Sequence, residues 1–119
     1  MRFEARELKP YAEPMAARDL REGEIYFSVN FFDDAMLIPD MRPLVFIGRD
    51  LESGDEGVVY FQDLDSYRRG IRYDSPGSDD EAVFEAGPDK ETKHIFEYER
   101  ALDVLMACSL RRQKTEGAS

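Results

Sequence analysis

Two tyrosines and three arginines fall within seven residues and form the best candidate for a binding site in this 119-residue sequence. The stretch YRRGIRY contains Tyr67, Arg68, Arg69, Arg72 and Tyr73 around a single glycine. Arginine binds carboxylate or phosphate groups through paired hydrogen bonds, and tyrosine can stack on a flat ring. These residue types suit a module that binds a small ligand or a nucleic acid.

Aspartates on both sides of this stretch give it a second interpretation. Asp63, Asp65 and Asp74 can pair with the arginines and neutralise all three positive charges within one solvated turn. Exposed ion pairs contribute only about 0–1 kcal/mol each, so such a turn forms without a ligand. The sequence favours this self-neutralising turn, and the binding site is the alternative.

The single histidine and the single cysteine are the next candidates, because the two residue types can form a catalytic dyad. His94 and Cys108 both fall in a predicted helix and are 14 residues apart. At ~1.5 Å per residue this spacing corresponds to about 21 Å, whereas a dyad needs contact at about 3 Å. The spacing therefore excludes a dyad, and we expect Cys108 to be a small buried side chain. One cysteine also excludes a disulfide within the chain.

Carboxylate pairs are numerous but match no catalytic or metal-binding pattern. They are Asp33–Asp34, Asp63–Asp65 and Asp79–Asp80. The segment that starts at Asp63 begins like a calcium loop, but Tyr67 and Arg69 occupy its fifth and seventh positions. We therefore expect a non-enzymatic protein with no catalytic residue, no metal and no cofactor. A hydrolase or transferase that uses surface carboxylates is the alternative.

The formal net charge is −10, and one segment accounts for much of it. Residues 74–91 hold seven acidic side chains against Lys90 alone. Net negative charge opposes binding to a phosphate backbone and favours a partner with a basic surface. We therefore expect the domain to bind another protein through residues 74–91. Nucleic-acid binding centred on Arg68, Arg69 and Arg72 is disfavoured.

Apolar runs predict the strands of one sheet. EIYFSVNFF at residues 24–32 alternates with a period of two, which is typical of a strand. PLVFIG at 43–48 and VVYFQD at 58–63 are apolar on both faces and predict interior strands, and AVFEA at 82–86 predicts the last strand. MLIP at 36–39 ends in proline, so we expect a sheet edge or a bulged approach to the sheet there. At such an edge a second copy can pair and form a homodimer.

The candidate site follows the strand at residues 58–63. Residues 64–70 predict one helical turn, with Asp63 or Asp65 as its N-cap and Gly70 as its stop. IRYD at 71–74 predicts a short strand.

The C-terminal part predicts one long helix over residues 90–113. Ile95, Tyr98, Leu102 and Leu105 recur at helical spacing and form an apolar stripe that we expect to pack against the sheet.

Strands followed by one long helix predict an α+β fold with an antiparallel sheet. We expect about four to five strands in a small curled sheet, similar in architecture to an SH3-like half-barrel, covered by the C-terminal helix. The chain is expected to form a single domain. Its predicted parts are an extension with a short helical turn at 1–22, the sheet at 23–86, the helix at 89–113 and a frayed tail at 114–119.

The N-terminal sequence MRFEARELKPYAEP is charged throughout and lacks the apolar core of a signal peptide. No apolar run approaches the ~20 residues of a membrane-spanning helix. We therefore expect a soluble, cytoplasmic protein that does not enter a membrane.

Overall fold

A computed structural model describes residues 12–74 and 82–117 of the chain. Within these ranges the chain forms a short 3-10 turn, five strands and two helices. In chain order they are the turn Ala17–Asp19, β1 Ile25–Phe31, β2 Pro39–Arg49, β3 Val58–Asp63, α1 Leu64–Arg68, β4 Phe84–Pro88, β5 Ile95–Phe96 and α2 Tyr98–Gly117. The predicted strand at 71–74 was wrong, because these residues lie in turns and irregular structure.

The strands form one sheet in the order β4-β3-β2-β1-β5, and every neighbouring pair is antiparallel. The predicted α+β fold, with an antiparallel sheet and one long C-terminal helix, is confirmed. The sheet is curled only slightly and is not closed into a barrel. Its two edge strands are short, and β5 has only two residues. Such a short strand cannot continue the sheet around to β4, so a half-barrel does not form.

The connection between β1 and β2 lies at the predicted sheet edge. The Asp33 carboxylate accepts hydrogen bonds from the backbone N–H groups of Leu37 and Ile38 at 3.0 and 2.9 Å. These bonds hold residues 36–38 in the turn of a hairpin, and β2 begins at Pro39. From Pro39 to Pro43, β2 pairs only with β1, and β3 joins it from Leu44 on. The predicted edge is therefore local to the start of β2, whereas β4 and β5 are the edge strands of the whole sheet.

The N-terminal segment covers one face of the sheet. The buried cluster on this face consists of Leu20, Tyr26, Leu44, Phe46, Val59, Phe61 and Ile95. Met15 packs against it, and the Met15 N–H donates to the Ile95 carbonyl at 2.7 Å. Arg49 donates to the carbonyls of Ala17 and Leu20. Met15, Ala17 and Leu20 thus supply part of the cover on this face of the sheet.

Helix α2 packs on the opposite face, over β1 and β5. A second cluster joins Val29 and Phe96 of the sheet to Ala101 of the helix. The helix begins at Tyr98, so the predicted start at residue 89 or 90 was wrong. Residues before it pair with β1 instead, and Ile95 lies opposite Ser28. His94 therefore precedes the helix, and the helical spacing used to separate it from Cys108 does not apply.

The side of α2 that faces the sheet also differs from the prediction. Tyr98 and Leu102 of the predicted stripe are 62% and 37% exposed, whereas Ala101 and Cys108 are only 2% and 3% exposed. Small side chains allow the helix backbone to approach the sheet closely, so the larger ones are turned outward. The burial expected for Cys108 is confirmed.

Candidate functional site

A pocket of about 450 Å³ lies between helix α1, the segment that follows it and the end of β2. Its lining consists of Glu22, Gly23, Ile47, Leu51, Gln62, Tyr67, Arg72, Tyr73 and Asp74. This volume falls in the ~300–1,000 Å³ range of small-molecule sites. The pocket brings part of the YRRGIRY stretch together with residues that lie far away in the sequence.

Asp63 fixes the start of helix α1 and thereby one wall of the pocket. Its carboxylate accepts from the Ser66 N–H at 2.9 Å, from the Ser66 hydroxyl at 2.6 Å and from the Val83 N–H at 2.8 Å. Burial raises the pKa of the Asp63 carboxyl, but the hydrogen bonds from Ser66 and Val83 outweigh burial and lower it below its ordinary value. Asp63 is therefore an N-cap held in its charged form.

The end of α1 is closed by a glycine turn that sends the chain back over the helix. The Ile71 N–H donates to the Ser66 carbonyl and the Gly70 N–H to the Tyr67 carbonyl, both at 3.1 Å. These two bonds define a Schellman motif, in which Gly70 adopts a positive φ of 92°. The motif places Ile71 and Arg72 beside Tyr67. The predicted cap at Asp63 and stop at Gly70 are both confirmed.

Arg72 stacks on Tyr67 at the pocket wall. Its guanidinium carbon lies 3.9 Å from the centre of the Tyr67 ring, which is cation–π contact. The Arg72 Nη1 atom also donates to the carbonyls of Tyr67 and Ile71, both at 2.9 Å. The arginine thus links two carbonyls of the turn and packs over one face of the Tyr67 ring.

Tyr73 forms the opposite wall through contacts with other aromatic rings. Its ring centre lies 5.6 Å from that of Tyr60 and 5.2 Å from that of Phe84, both edge to face. The Tyr73 hydroxyl donates to the Glu52 carboxylate. The Tyr60 hydroxyl donates to Asp55, and this hydrogen bond raises the pKa of Tyr60 well above its ordinary value. Tyr73 is therefore packed among aromatic rings, and the carboxylates of Glu52 and Asp55 lie at the hydroxyl ends of Tyr73 and Tyr60.

Gln62 lies beneath the pocket and has one unsatisfied polar atom. The residue is fully buried, and its Nε2 atom donates to the Ser66 hydroxyl at 2.9 Å and to the Ile71 carbonyl at 2.8 Å. A carbonyl can only accept, so the orientation of the amide is fixed. The Gln62 Oε1 atom has no hydrogen-bond partner among the described residues. A buried acceptor without a donor costs about 1–3 kcal/mol.

The structure separates the five sequence candidates into two groups. Tyr67, Arg72 and Tyr73 line the pocket. Arg68 is exposed outside it, and Arg69 pairs with Asp65 at 3.2 Å on the surface of α1. The YRRGIRY stretch therefore contributes two aromatic rings and one arginine to the pocket.

Sequence reasoning missed the other side of the site. Gln62 is an amide side chain at the end of the run VVYFQ, which is apolar on both faces of the predicted strand. Because a buried amide needs hydrogen-bond partners, this residue could have been singled out from the sequence. Ile47, Leu51 and Glu22 come from distant segments, and nothing local connects them to residues 67–73. Gly23 has a φ of 84°, which favours glycine, and it lies beside the Tyr67 hydroxyl, which would be 3.5 Å from a Cβ at this position.

Two carboxylates and one guanidinium give the pocket its charge. Glu22 and Asp74 are exposed at the lining, and Arg72 is tied to two carbonyls and a ring. Ile47 and Leu51 add apolar surface. The lining therefore offers acceptors and flat apolar contacts.

Among the described residues, no group of three or more His, Cys, Asp or Glu side chains lies close enough to hold a metal ion. No helix in the same part of the chain is long and apolar enough to cross a membrane. Comparisons with models of protein families, with curated proteins and with solved structures found no match. The function is therefore argued from the geometry of the pocket.

Proposed function

We propose that the domain binds a small planar organic molecule in the pocket beside α1. The molecule is neutral or cationic and carries an N–H or O–H donor next to a ring. The observation that carries this proposal is the buried, unpartnered Oε1 atom of Gln62. Gln62 belongs to the pocket lining, but its Oε1 atom is shielded, so a donor reaches it only when neighbouring lining side chains move aside. That contact would remove the cost of leaving the oxygen unsatisfied.

The walls of the pocket support a flat ring. Tyr67 and Tyr73 are held by contacts that do not depend on a ligand, so little side-chain entropy is lost when a molecule binds. Ile47 and Leu51 provide apolar area on another side. Aromatic and apolar walls with a few fixed polar atoms are typical of small-molecule sites.

The charges support a neutral or cationic molecule over an anionic one. Two carboxylates, Glu22 and Asp74, stand against Arg72 in the lining, and the chain carries a net charge of −10. The Arg72 Nη1 atom already donates to two carbonyls. An anion would therefore meet more repulsion than attraction.

Benzamidine and benzoate are a matched pair of probes for this proposal, because they share one ring and differ in charge and donors. We expect benzamidine to bind with a millimolar or lower Kd in an NMR titration and to shift the side-chain amide signal of Gln62. Benzoate should leave that signal unchanged. Binding of neither probe, or tighter binding of benzoate, would contradict the proposal.

Two variants locate the binding. Leu51→Trp fills the pocket from a side chain that is 39% exposed, so it should abolish benzamidine binding while the protein stays folded. Gln62→Met should weaken binding at least about tenfold, whereas Gln113→Met on exposed α2 serves as the control and should have no effect. Binding that survives both pocket variants would place the benzamidine elsewhere and overturn the proposal.

Protein binding through the acidic segment 74–91 stays a prediction. Residues 75–81 lie outside the described part of the chain. In the described part, Glu85 is used within the sheet, where it accepts from Arg42 at 2.9 Å.

A further inference from the structure

One side of helix α2 exposes large apolar side chains at intervals of four residues. Tyr98, Leu102, Met106 and Leu110 are 62%, 37%, 56% and 44% exposed. Since a helix has about 3.6 residues per turn, this spacing keeps all four on the same side. They span 12 residues, which corresponds to about 18 Å. Tyr98 lies at the border of this row, where its ring centre is 5.8 Å from that of Phe27 on β1. Leu102, Met106 and Leu110 form the outer face of α2, turned away from the side that contacts the sheet through Ala101 and Cys108.

Charge is distributed unevenly along the same helix. Acidic residues outnumber basic ones at its start, where Glu97, Glu99 and Asp103 stand against Arg100. Basic residues outnumber acidic ones near its end, where Arg111, Arg112 and Lys114 stand against Glu116. Glu97, Glu99, Arg112 and Lys114 are exposed, and Glu97 pairs with Arg100 at 4.0 Å. A second α2 laid parallel would bring acid against acid and base against base. A second α2 laid antiparallel would bring the acidic start of each helix against the basic end of the other.

We propose that the outer face of α2 binds the same face of a second copy, with the two helices antiparallel about a two-fold axis near Met106. Each Met106 then lies close to its equivalent, and Leu102 of each copy lies against Ser109 and Leu110 of the other. Glu99 lies near Arg112 of the second copy. A two-fold interface of this kind is self-complementary, as isologous contacts are.

The interface is expected to be weak. A row about 18 Å long buries less than the ~1,600 Å² of a standard stable interface, and two chains of net charge −10 repel each other. We expect a dimer dissociation constant between about 10 µM and 1 mM. This surface differs from the hairpin at residues 36–39 that the sequence indicated.

Sedimentation equilibrium of the full chain between about 10 µM and 1 mM tests the surface. Met106→Glu places two carboxylates near the axis and should raise the dissociation constant at least about tenfold. Val83→Glu is the matched control, because Val83 is 58% exposed and adjoins the opposite edge strand β4. It should leave the constant unchanged. A wild-type chain that stays monomeric at 1 mM, or equal effects of the two variants, would overturn the proposal.

A charge exchange tests the antiparallel arrangement. Glu99→Arg and Arg112→Glu should each weaken the dimer, and the double variant should restore the wild-type constant to within about threefold. In a parallel pair each position faces its own equivalent, so either single variant replaces one like-charge contact by another and should not weaken the dimer. Single variants without effect, or a double variant that does not recover, would therefore reject the antiparallel dimer.

Residues 1–11 of the same chain are the competing occupant of the outer face. Removal of residues 1–11 should leave the dimer intact if a second copy binds there. A full-length monomer that dimerises only after this removal would assign the face to residues 1–11 and overturn the proposal.

Discussion

Helix α1 has five residues and is attached to the sheet by hydrogen bonds, whereas helix α2 has 20 residues and is attached mostly by apolar packing, with Arg111 donating to the Met36 carbonyl. Asp63 caps α1, and Ser66 and Ile71 bind the amide of Gln62. α2 packs through Ala101, Val104 and Cys108 and leaves Leu102, Met106 and Leu110 exposed. The length and apolar content of a helix therefore do not measure how much of it is buried or how firmly it is held.

The largest effect is expected at the cap of α1. Asp63→Ala removes the N-cap and leaves the Ser66 hydroxyl and the Val83 N–H without their acceptor, so the free energy of unfolding should fall by about 2 kcal/mol. Urea melts measure this change. Asp65→Ala is the control, because the Asp65 side chain is 84% exposed and pairs only on the surface. Equal losses from the two variants would mean that the cap does not hold α1.

A smaller effect is expected from the charge of Asp63. Its pKa is lowered on folding, so its contribution to stability is present above its ordinary value of 3.8 and is lost as the pH falls through the lower folded-state value. At pH 7 the wild type should exceed Asp63→Asn in unfolding free energy by about 1 kcal/mol, since asparagine still caps the helix. This difference should shrink as the pH falls from about 5 to about 2. A difference that is constant with pH would show that the carboxylate charge contributes nothing.

The smallest effect is expected on the outer face of α2. Had the predicted stripe been buried, Leu102→Ala would lower the free energy of unfolding by about 2–5 kcal/mol. Because Leu102 is 37% exposed and faces away from the core, we expect a loss below about 1 kcal/mol in a dilute, monomeric sample. Denaturant melts at low micromolar concentration decide between the two values. A loss above 2 kcal/mol in the free energy of unfolding would show that Leu102 is buried in the core. The stated difference between α1 and α2 would then be wrong.

The sequence predicted well the features that depend on neighbouring residues. Asp63 and Gly70 identify the ends of α1 because capping and positive φ are properties of a few adjacent residues. The strands β1 and β3 follow from alternation and continuous apolar runs. Local chemistry alone is sufficient for these elements.

The sequence predicted poorly the features that depend on distant residues. The buried side of α2 depends on how closely its backbone approaches β1. The small Ala101 is therefore buried there, whereas the larger Leu102 is exposed. Residues 95–96 look helical by spacing but pair with β1. The pocket combines Tyr67 and Tyr73 with Gln62, whose unsatisfied oxygen depends on three-dimensional surroundings that a linear pattern does not contain.

The hydrogen bond between Met15 and Ile95 constrains the order in which the protein can fold during synthesis. The two residues are 80 positions apart, and the segment around Met15 packs against the buried cluster that contains Phe46, Phe61 and Ile95. At about 5–20 residues per second, a ribosome needs roughly 4–16 s to add the residues between them. The apolar face around Phe46 and Phe61 therefore stays incompletely covered until the chain is nearly finished.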